Sequence, residues 1–262
     1  MARGRTRSLL VRRHHGEASG RRPEQVVVEE PLEIRLDGRR VAATLRTPGH
    51  DYELAVGRCF VDGLLAGAPV RAVRYCATGS ALDTAFNVVT VDTGGRAPAP
   101  APVPVASCGW CGADQIDDLA LRLAPLPPHR GVGVEVLLGL AGALAAAREP
   151  AVDGVHAAAA FDRSGALTLV REDVDPRNAV DQVVGRLVLD GALPAAGFGL
   201  VVDGRVGFET VQQAWSAGFT TVVGTGAASS LAIDAATRAG ITLVGSAGPD
   251  RLDLWVEAPD AG

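Results

Sequence analysis

Apolar and polar residues alternate from Leu32 to Leu36 and again from Val41 to Arg46, with Asp37-Gly38 between the two runs. Period-two alternation gives each run one apolar face, and Asp-Gly between such runs signals a two-residue hairpin. Thr47 to Asp51 then reads as a turn leading into a helix, with Leu54, Ala55, Gly57, Cys59, Phe60, Leu64 and Leu65 on its apolar face and Asp51 as its N-cap. Strand-like runs return at Val70–Cys76 and Phe86–Val91, before the Pro-rich run Ala97–Pro104. Beyond it, a short helix is predicted from Asp114 and a longer one over Val134–Arg148. Buried strands are predicted at Val155–Phe161 and Leu167–Arg171, joined by a turn at Asp162–Gly165, and a helix over Asn178–Leu189. Strand and helix then alternate: strands at Phe198–Val202, Thr220–Val223, Ile241–Val244 and Leu252–Val256, helices at Gly207–Ala217 and Ser229–Ala239. Apolar strands alternating with amphipathic helices predict an α/β fold with parallel strands and helices on both faces. Ligands in such folds bind in loops at the carboxyl ends of strands, here Gly224-Thr225-Gly226 and Gly245–Arg251.

Three segments follow from this pattern. Residues 1–25 form a basic arm without apolar period, predicted to be disordered; 26–106 a β-rich part ending in the Pro-rich linker; 107–262 the α/β domain. The chain's 262 residues are 47% hydrophobic, enough for a sizeable core, and carry a formal charge of −5. Seven arginines and Glu17 give the first 22 residues +6, which leaves −11 on the remainder. An acidic body, and an arm with no aromatic residue to stack on bases, argue against a nucleic-acid partner. All 25 basic residues are arginine, so Lys-based Schiff-base chemistry is excluded. Leu9-Leu10-Val11 is too short for a secretory signal, and Val132–Ala147 contains Glu135 and falls short of the ~20 residues of a spanning helix. A cytoplasmic protein without membrane attachment is the expectation.

In a reducing compartment cysteines are more often catalytic or metal-binding than disulfide-bonded. Cys108 and Cys111, in Ser107-Cys-Gly-Trp-Cys-Gly112, are the candidate pair, since the flanking glycines leave the loop free to present both sulfurs. A structural zinc site would have to recruit Cys59 and Cys76, which read as core residues. A thioredoxin-like pair would follow a strand, not a Pro-rich run. A zinc deaminase would carry His-x-Glu ahead of the pair, whereas His156 comes after it. The residues alone leave dithiol redox chemistry and sulfur carriage both open.

A set of motifs in fixed order narrows the choice. Thr47-Pro-Gly-His-Asp51-Tyr-Glu53-Leu-Ala-Val-Gly57, Phe86-Asn87-Val-Val, Ser107–Gly112, Gly154-Val-His156-Ala-Ala, Arg171-Glu-Asp-Val174, Asn178-Ala-Val-Asp181 and Leu243-Val-Gly245 occur in succession. From Val26 to Trp255 the chain thus resembles the formate dehydrogenase accessory family (FdhD/NarQ). The resemblance implies a cytidine-deaminase-like three-layer α/β domain with a β-rich N-terminal part, usually a homodimer. It implies a cytoplasmic sulfurtransferase that takes sulfur from a cysteine desulfurase and passes it to the bis-guanine-dinucleotide form of the molybdenum cofactor, for formate dehydrogenase. Cys108 would carry the persulfide with Cys111 as its partner, and no metal would be held by the protein itself. The loop Ser246, Ala247, Gly248, Pro249, Asp250 and Arg251 would hold the guanine dinucleotide, with His156, Asn178 and Asp181 as further cofactor contacts. Departures from the family pattern fall at Val152-Asp153, Asp175-Pro176-Arg177, Asp203-Gly204-Arg205, Gly226–Ser230 and Ser246-Ala247-Gly248, positions expected in loops facing the cofactor. The altered Asp175-Pro176-Arg177 loop favours, as an alternative, a non-catalytic cofactor-binding chaperone that has lost sulfur transfer; a dithiol redox protein is a third reading.

Overall fold

A computed structural model describes residues 4–16, 18–76, 81–82, 84–98, 119–120, 122–149 and 154–259. Cys108, Cys111, Asp153, most of the Pro-rich run and the start of the helix predicted from Asp114 lie outside these residues.

Two strands, β1 (Thr6–His15) and β2 (Ala18–Val27), open the chain as an antiparallel ribbon of ten residue pairs. This corrects the expectation of a disordered arm. The ribbon was hidden because nearly every side chain on both its faces is exposed, so no hydrophobic period marks it. Backbone pairing, a left-handed Gly16 in the turn (φ 61°), and ion pairs from Arg13 and Arg22 to Glu24 (2.5 and 3.1 Å) hold it.

Strands β3 (Glu30–Leu36), β4 (Arg39–Arg46), β5 (Ala72–Tyr75) and β6 (Val88–Asp92) form a sheet in the order β4-β3-β6-β5. The β3–β4 hairpin turns on Asp37 (φ 47°) and Gly38 (φ 82°), both left-handed as a two-residue hairpin loop requires. Leu32, Ile34, Leu36, Val89 and Val91 pack on Leu54, Ala55 and Cys59 of helix α1 (Asp51–Val61). The N-cap of α1 is His50, not Asp51, which is buried as the first helical residue. Its carboxylate turns inward to a bidentate pair with Arg46 (3.0 and 2.8 Å), itself fully buried.

After helix α2 (Val134–Ala147) come β7 (His156–Phe161), β8 (Leu167–Asp173), α3 (Pro176–Leu189), β9 (Gly199–Val202), α4 (Phe208–Ala217), β10 (Thr221–Gly224), α5 (Ser230–Ala239), β11 (Thr242–Gly245) and β12 (Asp253–Val256). The six strands order as β12-β11-β10-β9-β7-β8. Only β9, β10 and β11 run parallel; β7, β8 and β12 pair antiparallel to their neighbours. The sheet is therefore mixed, where the alternation predicted a parallel one, because the Asp162–Gly165 turn is too short for a parallel crossover.

Strand period divides the core. Ala159, Phe161, Val201, Val223 and Val244 face Leu137, Leu140 and Leu144 of α2. Ala158, Ala160, Leu200, Val202, Val222 and Leu243 face the other way, onto Val180 and Val183 of α3, Val211 and Ala214 of α4, and Ala235 of α5. Helix, sheet and helix make three layers. Helix α3 starts sharply because Asp175 accepts a hydrogen bond from the Arg177 N–H (2.8 Å) and Pro176 occupies the first turn.

Candidate functional site

Helices α1 and α3 cross at glycine. A Cβ on Gly57 would lie 1.8 Å from the Asp181 carbonyl oxygen, and one on Gly185 would lie 1.8 Å from that of Glu53. Around this crossing runs a polar seam. Asp173, fully buried at the end of β8, accepts hydrogen bonds from the N–H groups of Thr47 (3.2 Å) and Asp175 (3.1 Å) and from the amides of Asn178 (3.0 Å) and Gln182 (2.8 Å). Glu53 takes a bidentate pair from Arg171, 2.8 Å at its longer contact. Asp181 lies 3.6 Å from Arg58 and accepts from Gln213 (2.6 Å). Burial pushes the carboxyl of Asp173 up to about 6 and that of Asp181 up to about 7, against the hydrogen bonds on the first and the Arg58 charge and Gln213 on the second.

Asn178 and Asp181 thus sit inside the seam, 2% and 0% exposed. Asn178 also donates to the Leu45 carbonyl (2.7 Å). Asp175-Pro176-Arg177, read as part of a cofactor-facing loop, is the cap and first turn of α3.

The strand-end loops form a separate edge. Parallel β9, β10 and β11 end together at Asp203, Thr225 and Ser246, and antiparallel pairing brings His156 at the start of β7 to the same edge. The loops are stacked backbone on backbone: Gly226 N–H donates to Gly204 (2.7 Å), Ser246 N–H to Gly226 (2.8 Å) and Ala247 N–H to Gly224 (3.0 Å). Glycine is required at position 226, where a Cβ would approach the Gly204 carbonyl carbon to 2.8 Å. Ser246 holds a left-handed φ of 52°, a conformation costly to a non-glycine residue and common at ligand-binding loops.

Charge is concentrated at one end of this edge. His156, 46% exposed, places Nδ1 3.2 Å from Asp203, and Asp203 pairs with Arg148 (3.0 Å). Arg205 is exposed, with no ion pair or hydrogen bond to the other described residues. At the other end, Arg251 is exposed and paired with Asp253 (3.2 Å), while Pro249 and Asp250 face solvent. Gly248 N–H bonds the Arg251 carbonyl (2.8 Å), and Ala247 is a core residue beneath α2 rather than a loop-surface one. Of the sequence-predicted contacts, His156, Ser246 and Arg251 therefore share one face of the molecule with Gly248. Arg148, Asp203, Arg205 and Thr225 join them without having been singled out as contacts. The rule that ligands sit at strand ends pointed to Thr225, and Asp203 and Arg205 stand in a motif that departs from the family pattern.

Cys59 is buried, and burial pushes its thiol up to about 12, which removes it as a nucleophile. Cys76 is buried with its sulfur 2.9 Å from the Thr84 hydroxyl. Neither belongs to a metal-ligand cluster among the described residues.

This architecture is shared with a solved structure, that of a putative formate dehydrogenase accessory protein from Desulfotalea psychrophila. The two agree with a TM-score of 0.75 over 97% of this chain and 98% of that one, at 21% identity, so the likeness is one of fold. The FdhD/NarQ family model matches residues 27–259, and the chain belongs to that family. Relatives include the sulfur carrier protein FdhD of Streptomyces avermitilis, 39% identical over 260 residues covering 94% of this chain and 91% of that protein. The sulfur carrier protein FdhD of Nocardia farcinica is also 39% identical, over 90% of this chain and 87% of the relative.

Proposed function

We propose that this protein is a sulfur carrier in the maturation of formate dehydrogenase, with Cys108 as the sulfur-bearing residue. The observation that carries the reading is the family match over residues 27–259, a span that contains the Cys108-Gly-Trp-Cys111 pair. Its source of sulfur is a cysteine desulfurase. The Cys108 thiolate attacks the outer sulfur of the donor's persulfide; a new S–S bond forms, the donor's S–S bond breaks, and the donor leaves as thiolate. Attack of the Cys111 thiolate on the Cys108 sulfur then expels hydrosulfide and leaves a disulfide, which a cytoplasmic dithiol must reduce before the next cycle.

The cargo that receives the sulfur is the molybdenum cofactor in its bis-guanine-dinucleotide form, a substrate rather than a resident group. The strand-end edge suits it. Arg205, Arg148 and His156 offer donors to phosphate oxygens, Gly204, beside which a Cβ would meet nothing within 4 Å, permits close approach, and Arg251 lies at the far end for a second phosphate or a guanine. In this reading the protein works in the cytoplasm, as a homodimer.

Intact-mass measurement after incubation with a cysteine desulfurase and cysteine tests the proposal. The mass of one added sulfur atom is expected on the unaltered chain and on Cys111→Ala, and none on Cys108→Ala. Sulfur on Cys111 alone would reverse the roles, and no added sulfur on any of the three would refute the carrier reading.

A further inference from the structure

Two tryptophans among the described residues stand in opposite surroundings. Trp215 is buried, and its indole N–H donates to the Ala124 carbonyl (2.8 Å). Trp255 is 46% exposed, and its indole N–H has no partner among the described residues. It lies on β12, the end strand of the six-stranded sheet. The pairing of β12 with β11 slips there: Leu243 opposes Val256 and Val244 opposes Leu254, so Trp255 is the extra residue of a bulge. A bulge re-aims a side chain. This one turns the indole toward the strand-end loops. A Cβ on Gly245 would lie 3.0 Å from Trp255 Nε1, 3.1 Å from the Ala228 nitrogen and 3.2 Å from the Gly226 carbonyl oxygen. Glycine at 245 thus leaves room for an aromatic plane beside the candidate cargo site.

Asp253 stands on the same side of the sheet, because it is the cross-strand partner of Gly245 and directly opposed residues share a face. Its side chain pairs with Arg251 (3.2 Å) and is 29% exposed. Hydrogen bonds from Ser246 and Arg251 hold its carboxyl below the usual carboxylate range, so at neutral pH it presents acceptors only. Two residues of strand put it about 7 Å from Trp255, a span that a purine bridges. Among the common bases, guanine alone presents two adjacent donors, N1–H and the amino group, to one carboxylate. Its O6 beside them would take a donor from Arg251. Adenine turns an N1 lone pair to the same place, which a carboxylate repels.

We infer that Trp255 and Asp253 form the base-reading end of the cargo site, the indole stacking on a guanine and the carboxylate selecting it. The inference rests on the carrier reading above for the nature of the cargo, and it gives the cargo a direction. Three inter-strand steps of about 4.8 Å separate β12 from β9, so the phosphates run along the edge toward Arg205 and Arg148. Calorimetric titration of the full chain with guanosine, inosine and adenosine diphosphates tests it. The guanosine compound is expected to bind roughly ten- to hundredfold more tightly than the adenosine one, with the inosine compound, which keeps N1–H but lacks the amino group, between them. Trp255→Ala is expected to weaken guanosine diphosphate by about five- to 150-fold, the worth of one stacked base, and Trp255→Phe to keep most of the affinity. Asp253→Asn is expected to remove most of the preference for guanine without weakening adenosine diphosphate. Neither side chain belongs to a core cluster, so the fold is expected to survive each change. Equal binding of the guanosine and adenosine compounds, no binding of the former, or an affinity unmoved by Trp255→Ala would overturn the inference. So would a change in solution mass on Trp255→Ala with guanosine diphosphate affinity intact, which would make β12 an interface between copies of the chain. Sulfur loading, followed by intact mass on the same samples, reads the carrier function separately: loading without base selectivity refutes this inference alone, and selectivity without loading refutes the carrier reading alone.

Discussion

Replacing Gly57 with Ala adds one methyl group at the point where α1 and α3 touch. That methyl would sit 1.8 Å from the Asp181 carbonyl oxygen and 2.9 Å from the Gly185 nitrogen, where ordinary contact begins at 3.4 Å. The obstacle is backbone on both sides, so no rotamer change relieves it and the helices must part by more than an ångström. Parting them lengthens the Glu53–Arg171 and Thr47–Asp173 contacts and opens a gap that forfeits about half or more of the local dispersion energy. Overpacking alone costs ~1–3 kcal/mol, and the broken seam brings the total to about 3–5, less the ~0.5–1 that Ala gains over Gly in a helix. A net loss of about 2–4.5 kcal/mol is a large share of a typical domain's stability. Gly185→Ala meets the Glu53 carbonyl in the same way, and one separation of the helices relieves both clashes. The double variant is thus expected to cost little more than either single one. Guanidinium unfolding measures all three, with Gly142→Ala as control, since a Cβ there meets nothing within 4 Å and is expected to gain ~0.5–1 kcal/mol. A Gly57→Ala loss below about 1 kcal/mol, or strictly additive losses, would refute the reasoning.

Two further outcomes follow from the buried charges. Asp181, raised to about 7, binds a proton more tightly folded than unfolded, so its contribution to stability grows as pH falls from above 7 to about 4. Asp181→Asn is expected to flatten the pH dependence of the unfolding free energy over that window, by an amount on the order of 2–4 kcal/mol; parallel curves for the two proteins would contradict this. Arg46→Lys keeps the charge but loses the fork that grips Asp51 and reaches Glu30 (3.3 Å) and Asn87 (3.3 Å). It is expected to cost about 2–4 kcal/mol by denaturant titration, and a neutral result would show that charge alone matters there.

The elements with a clear period were legible in the sequence. The Asp37-Gly38 hairpin, the face of α1 and the alternation from Gly199 onward follow from local chemistry and lie where the pattern puts them. The ribbon was not legible, because its faces are not buried and hydrophobic period reports only burial. The burial of Asn178 and Asp181 was not legible for a related reason. A polar residue in a motif reads as a surface contact, and nothing local reveals that Leu45, Gln213 and Arg58 come from elsewhere in the chain to enclose it. Asp51 illustrates the same limit: its position suits an N-cap, yet Arg46, five residues earlier, draws its carboxylate inward.

Helix α1 belongs to the first sheet by sequence and packs both on that sheet and on α3. Its inner face completes the core over β3 and β6, while its other face supplies Gly57, Glu53 and Arg58 to α3 and its neighbours. A chain broken in the Pro-rich run would yield two pieces, each exposing a groove shaped by the other's backbone. Such pieces make a matched pair rather than two independent modules, and the contact that unites them is specified by hydrogen, the only substituent small enough to stand where the helices cross.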